Sequence, residues 1–154
     1  MTKSKRLKPL VKLAKNGEDT AARALGECQQ RFNEQQSRLD DLKSYRHDYV
    51  MQLKNASRSG LESGAMQRYQ HFLAKIDEAI ALQRQLVERT RQEYEEKNKQ
   101  WSAARTKHKA LDKAVTRHRT SELRQRERRE QRQNDERRHQ QGDRGDLDPG
   151  GDEG

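Results

Sequence analysis

"SRSGLESG", residues 57–64, is the only stretch in the middle of the chain that carries turn chemistry. Gly60 and Gly64 are free to take backbone angles closed to other residues, and the three serines of the stretch can bond to nearby backbone groups. On both sides the sequence keeps a helical rhythm. A single break between two such arms folds the chain back on itself.

Toward the C-terminus the rhythm runs Met66, Tyr69, Leu73, Ile76, Ile80, Gln83, Val87, Thr90, Tyr94, Lys97, Trp101, Ala104, His108, Leu111, Val115, His118, always in steps of three and four. A strict repeat of that kind keeps one seam facing one partner along its whole length, which is the condition for a left-handed coiled coil. Toward the N-terminus the partner seam reads Ala21, Leu25, Cys28, Phe32, Gln35, Leu39, Leu42, Arg46, Tyr49, Leu53, Ala56, with a weaker extension through Leu7, Leu10 and Ala14. The expected fold is all-α, an antiparallel two-helix coiled-coil hairpin with a longer second helix. With the turn near residue 60, facing residues carry numbers that sum to about 121.

The hairpin is expected over residues 1–120, with the seam fading after Val115. A charged helical extension follows over 121–140, and a Gly- and Asp-rich tail over 141–154 is expected to be disordered. "NGED", residues 16–19, could break the first arm because Gly disfavours a helix interior by about 1 kcal/mol; a continuous, locally soft helix is expected there.

Composition agrees with a thin architecture. A chain of 154 residues with 29% hydrophobic and 38% charged content cannot fill a thick globular core. Nothing in it reads as a strand. No run approaches the roughly 18 apolar residues of a membrane span, and the basic start "MTKSKRLKPLVKLAK" lacks the apolar stretch of a signal peptide, so a cytoplasmic protein is expected. Cys28 is the single cysteine and reads as a reduced, buried thiol.

Catalytic signatures are missing. There is no phosphate loop and no nucleophile elbow, and no cysteine or histidine pair stands at metal-ligand spacing, so neither a cofactor, a metal nor a small-molecule ligand is implied. Glu95 with Glu96, and Asp40 with Asp41, are neighbours in sequence only, since adjacent helix positions do not face each other.

Charge and apolar excess carry the functional signal. Lys3, Lys5, Arg6, Lys8, Lys12 and Lys15 make the first fifteen residues purely basic, and an Arg-rich block opens at Arg117 and Arg119. A hairpin brings both blocks to its open end. With a net charge of +9, that end points to an acidic partner. Nucleic acid fits less well than a protein groove, because acids are mixed into the second block and no aromatic is interleaved for stacking. Near the turn, "YQHFLAKIDEAI", residues 69–80, carries more bulky apolar side chains than one seam can cover. Leu42, Tyr45 and Tyr49 share its height, and together with Phe72, Ile76 and Ala79 they form stripes wider than the seam. Some of these side chains must therefore face water or a partner, and an exposed aromatic patch on a thin rod reads as a binding site ahead of rings that merely cap the seam.

"TAARALGECQQ" in the first arm, "LKSYRHDY" before the turn and "YQHFLAKIDEAI" after it, in that order and spacing, resemble the FliJ family of the flagellar type III export apparatus over roughly residues 7–118. The resemblance implies an antiparallel coiled coil similar to the stalk of rotary ATPases, with no enzymatic activity of its own. It implies a partner at the open end, the hexameric export ATPase FliI, and so gives Lys5, Arg6, Lys8, Lys12, Lys15, Arg117 and Arg119 as its contacts. It further implies docking on the export gate protein FlhA through Leu42, Tyr45, Tyr49, Phe72, Ile76 and Ala79, escort of export chaperones, and a peripheral place at the inner face of the membrane through the apparatus. The sequence departs from the family at Arg38, where Gln is common, and at Gln83, where His is common. Two other readings remain beside it: the stalk protein of a related virulence secretion system, and a basic coiled coil that binds nucleic acid.

Overall fold

The structure, a computed structural model, describes residues 2–145. It contains two helices, α1 over Lys3–Arg58 and α2 over Ser63–Gly145, and no strand among the described residues. The second helix is the longer, 83 residues against 56. The expected all-α hairpin is what the chain forms.

The turn lies inside the stretch that decided the fold. Ser59 and Gly60 donate their backbone N–H groups to Ala56 and Ser57 carbonyls, closing α1, and Gly60 adopts a φ of 82°. That left-handed angle is open to Gly because it has no Cβ. Glu62 then opens α2 by accepting the N–H groups of Ala65 and Met66.

By contacts the chain divides into two units, Lys15–Thr106 and a second made of Met1–Ala14 with Lys107–Gly154. In the unit of 15–106 the helices run antiparallel. Its core is Leu39, Ile76 and Ile80, with Leu42, Tyr49 and Val87 packed against it. Every seam position that the heptads mark in this unit is buried or half-buried. Seam polars are satisfied in different ways. Gln83 Nε2 crosses to the Gln35 carbonyl and to Gln35 Oε1, each at 2.9 Å. Thr90 is buried and donates its hydroxyl back to the Leu86 and Val87 carbonyls of its own helix. Arg46 leaves the seam for the Asp77 carboxylate. Cys28 is 2% exposed, a free thiol that accepts a hydrogen bond from Arg31 Nη2 at 3.0 Å.

Residues 16–19 are helical without a break. Thr20 Oγ1 donates to the Asn16 carbonyl at 2.9 Å, and Lys15 pairs with Asp19 at 3.4 Å, two local ties across the glycine.

In the unit of the chain's two ends, Ser4 and Val115 are buried and Leu7, Val11, Ala14, His108, Leu111, Ala114 and His118 are half-buried. Leu10, expected in the seam, is instead 48% exposed. The repeat here runs Ser4, Leu7, Val11, Ala14, so its steps of three and four fall in the other order and Val11 takes the place given to Leu10. The seam also passes the expected limit at Val115. Glu122, the next position in its rhythm, accepts hydrogen bonds from the Ser4 backbone N–H at 3.2 Å and from Ser4 Oγ at 2.7 Å. Those two numbers sum beyond the expected register, and the lean of a helix side chain toward its own N-terminus helps bring the Glu122 carboxylate back toward the level of Ser4.

Beyond the seam α2 is exposed through the charged extension to residue 143, and it stays helical to Gly145. Helix thus covers the first residues of the stretch given as tail, 141–154, and the rest of that stretch lies outside the described residues.

Candidate functional site

Four rings gather on one flank of the hairpin unit. Tyr49 sits between Phe72, 4.9 Å away between centroids, and Tyr69 at 5.5 Å, both tilted. Tyr45 meets the edge of Phe72 at 6.5 Å. These are the separations and angles at which aromatic quadrupoles attract, adding about 0.5–1.5 kcal/mol per pair to the area buried. The cluster is held from below by the core and open above. Tyr45 is 52% exposed and Phe72 40%, while Tyr49 and Leu42 are half-buried and bridge the rings to Leu39, Ile76 and Ile80. Burial pushes the Tyr49 phenol above its ordinary value, helped by the neighbouring Tyr69 and Tyr45.

The six residues expected on this flank thus separate by role. Tyr45 and Phe72 present themselves, Leu42, Tyr49 and Ala79 form half-buried support, and Ile76 is 5% exposed and belongs to the core. Ile76, expected on the binding face, lies in the core cluster. Its position in the α2 seam faces Leu39, and two helices suffice to cover it. Tyr69 was read as seam alone and is in fact a fourth ring of the cluster. Its place one turn before Phe72 was the available signal.

The unit of the chain's ends is a separate surface. Lys5, Arg6, Lys8 and Lys12 on α1 and Arg117 and Arg119 on α2 are all exposed, and all six fall in this one unit. Lys15 is exposed too, but falls in the hairpin unit, paired with Asp19. Sequence reasoning missed two exposed apolar residues among the lysines, Leu10 and Leu13, the latter 68% exposed. The first turn of α1 contains no acid, so the carboxylate that favours its N-terminal dipole comes from Glu122 on α2. Hydrogen bonding by the Ser4 hydroxyl holds the Glu122 carboxyl below its ordinary value against the opposing effect of burial, with the Ser4 N–H, His118 and Arg119 adding to it.

Among the described residues no three His, Cys, Asp or Glu side chains cluster so as to hold a metal ion, and no helix is long and apolar enough to cross a membrane. The surface offers open grooves along helices, and its concentrated features are a ring cluster and a basic region. Such a chain is a helical hairpin.

The family described as Flagellar FliJ protein matches the chain over residues 3–145, and the chain belongs to that family. It is accordingly a component of the flagellar export apparatus, in a family whose members are not enzymes. No curated protein and no solved structure matches it.

Proposed function

We propose that the chain is the stalk-like coiled coil of the export apparatus, joining the hexameric ATPase FliI to the export gate FlhA from the cytoplasmic side of the membrane. The observation that carries this reading is the exposed pair Tyr45 and Phe72 standing on a buried aliphatic core. Aromatic anchors set in well-packed surroundings are the usual centres of protein-protein binding energy. The gate takes this flank, with Leu42, Tyr49 and Ala79 fixing the angle of the rings and Ile76 fixing the floor.

The ATPase takes the basic region. Lys5, Arg6, Lys8, Lys12, Arg117 and Arg119 supply a positive field that steers an acidic surface into place, and Leu10 and Leu13 supply apolar contact. Lys15, tied to Asp19, contributes charge only. Escort of export chaperones and a peripheral place at the membrane follow from the same assembly. The test is binding of the full chain to the cytoplasmic domain of FlhA and to FliI, each measured separately. Tyr45→Ala with Phe72→Ala should weaken the first and spare the second, and Lys5→Glu with Lys8→Glu should do the reverse. Equal losses in both would remove the division of labour.

A further inference from the structure

The flank of the hairpin unit away from the rings is a groove of about 600 Å³ that no role above uses. Its floor is Val50 of α1 and Ile80 of α2, the second almost fully buried, with the small side chain of Ala81 beside it. Its rims carry two cations, Lys43 on α1 and Arg84 on α2, and His47, one turn from Lys43, adds a ring N–H donor. Asp77 is the one acid in the lining, and its carboxylate is taken by Arg46, whose guanidinium is held above its ordinary pKa by that bond.

We propose that this groove seats an acidic amphipathic helix of a partner protein as a third helix of the bundle. Three observations favour such an occupant. The apolar floor is narrow and runs along two helices, which matches one helical stripe with residues at three- and four-residue spacing. Ala81 leaves the backbone of α2 approachable, as the usual interaxial distance of about 8–10 Å between packed helices requires. Lys43 and His47 are separated by about 6 Å along the helix axis, the rise of four residues, so carboxylates one turn apart on the partner meet both. The groove holds no Phe, Tyr or Trp ring, and the single imidazole of His47 gives no run of platforms for successive bases, so a nucleic-acid strand is the poorer fit.

The probe is a synthetic amphipathic peptide of about six helical turns, with an Ala/Leu stripe flanked by Glu, beside the same peptide flanked by Lys. Binding to the full chain is followed by fluorescence anisotropy. The Glu-flanked peptide should bind, more weakly as salt rises, and Lys43→Glu with Arg84→Glu should reduce its affinity by about tenfold or more. Ala81→Trp should block it sterically, while Phe72→Ala, on the other flank, should leave it unchanged. Circular dichroism of each variant confirms that the helices persist. The proposal is overturned if the Glu-flanked peptide does not bind, if the Lys-flanked peptide binds as tightly, or if the groove variants bind like the parent. Absence of peptide binding together with direct binding of a labelled single-stranded RNA that Lys43→Glu with Arg84→Glu abolishes would assign the groove to nucleic acid instead.

Discussion

The hairpin unit and the unit of the chain's ends follow the same heptad rhythm but are held by different forces. In the first, Leu39, Ile76 and Ile80 bury aliphatic surface under four rings, and Gln83 crosses to Gln35. In the second, Val115 is a buried apolar side chain, and Ser4 donates two hydrogen bonds across to Glu122. Apolar burial is insensitive to pH and responds to truncation. A carboxylate accepting an N–H and an O–H responds to protonation. The two units should therefore fail under different perturbations, and each failure tests the assignment of force to unit.

The largest effect belongs to the aliphatic core. Ile80→Ala removes methyl groups from the centre of the hairpin unit, where truncation of a buried aliphatic costs about 2–5 kcal/mol. The lower half of that range is expected, because a two-helix core can partly collapse around the loss. Chemical denaturation followed by circular dichroism measures it. A loss under about 0.5 kcal/mol, the size of an ordinary surface change, would mean that the hairpin is not held by this cluster.

Phe72 provides the next test, because it lies one turn from Ile76 and differs from it in exposure. Phe72→Ala loses its ring pairs with Tyr45 and Tyr49 and should lower stability by about 1 kcal/mol. On the proposed role it should also cost about 2 kcal/mol or more in affinity for the cytoplasmic domain of FlhA. Ile76→Ala should invert the pattern, with a large loss of stability and binding reduced only as far as the fold is lost. If both substitutions move stability and binding in the same proportion, Phe72 is core like its neighbour.

Much of this was legible in the sequence because a strict three-four repeat has one structural solution. The seam positions, the turn and the antiparallel pairing all follow from it. What periodicity could not supply is the phase of a weak repeat. Leu7, Leu10, Ala14 and Leu7, Val11, Ala14 are equally good as spacings, and only the packing against α2 chose the second. Nor could it give the depth of a side chain near the seam. Ile76 and Phe72 are both bulky, apolar and four apart, yet one is 5% and the other 40% exposed. The Ser4 to Glu122 contact was hidden for a third reason. Neither residue is apolar, so a search for hydrophobic positions ends before reaching them.

A smaller effect is expected at the polar crossing in the hairpin. Gln83→Ala removes hydrogen bonds to Gln35 from a half-buried site, a loss of about 1 kcal/mol. Replacing Gln35 and Gln83 together by Leu should restore or exceed the parent stability while loosening register, since polar pairs in a seam specify alignment at a cost in stability. Disulfide trapping between cysteines placed at neighbouring levels of the two helices reads that loosening. A double variant that is both more stable and equally strict in register would assign alignment to the turn alone.

The smallest effect, and the one that isolates the other unit, concerns Glu122. Its pKa in the folded protein lies below the ordinary 4.5, first because of the hydrogen bond from the Ser4 hydroxyl. A group whose folded pKa is depressed contributes stability that is present above the unfolded value and is lost as pH falls through the folded value. The contact should thus be intact from neutral pH down to about 4.5 and open below it as the carboxylate takes up a proton. Opening should free the start of α1, where Pro9 already removes one backbone N–H from the helix ladder. Amide hydrogen exchange over residues 4–8 reads this directly, with protection falling at acid pH in the parent. Glu122→Gln keeps an acceptor for Ser4 but cannot titrate, so its protection should be weaker at neutral pH and flat through the acid range. The hairpin unit, held by apolar contacts, serves as the internal control, since exchange at Leu39 and Ile80 should follow the same course in both proteins. If the acid step persists in Glu122→Gln, another carboxylate governs the ends of the chain, and the contrast between the two units loses its polar half.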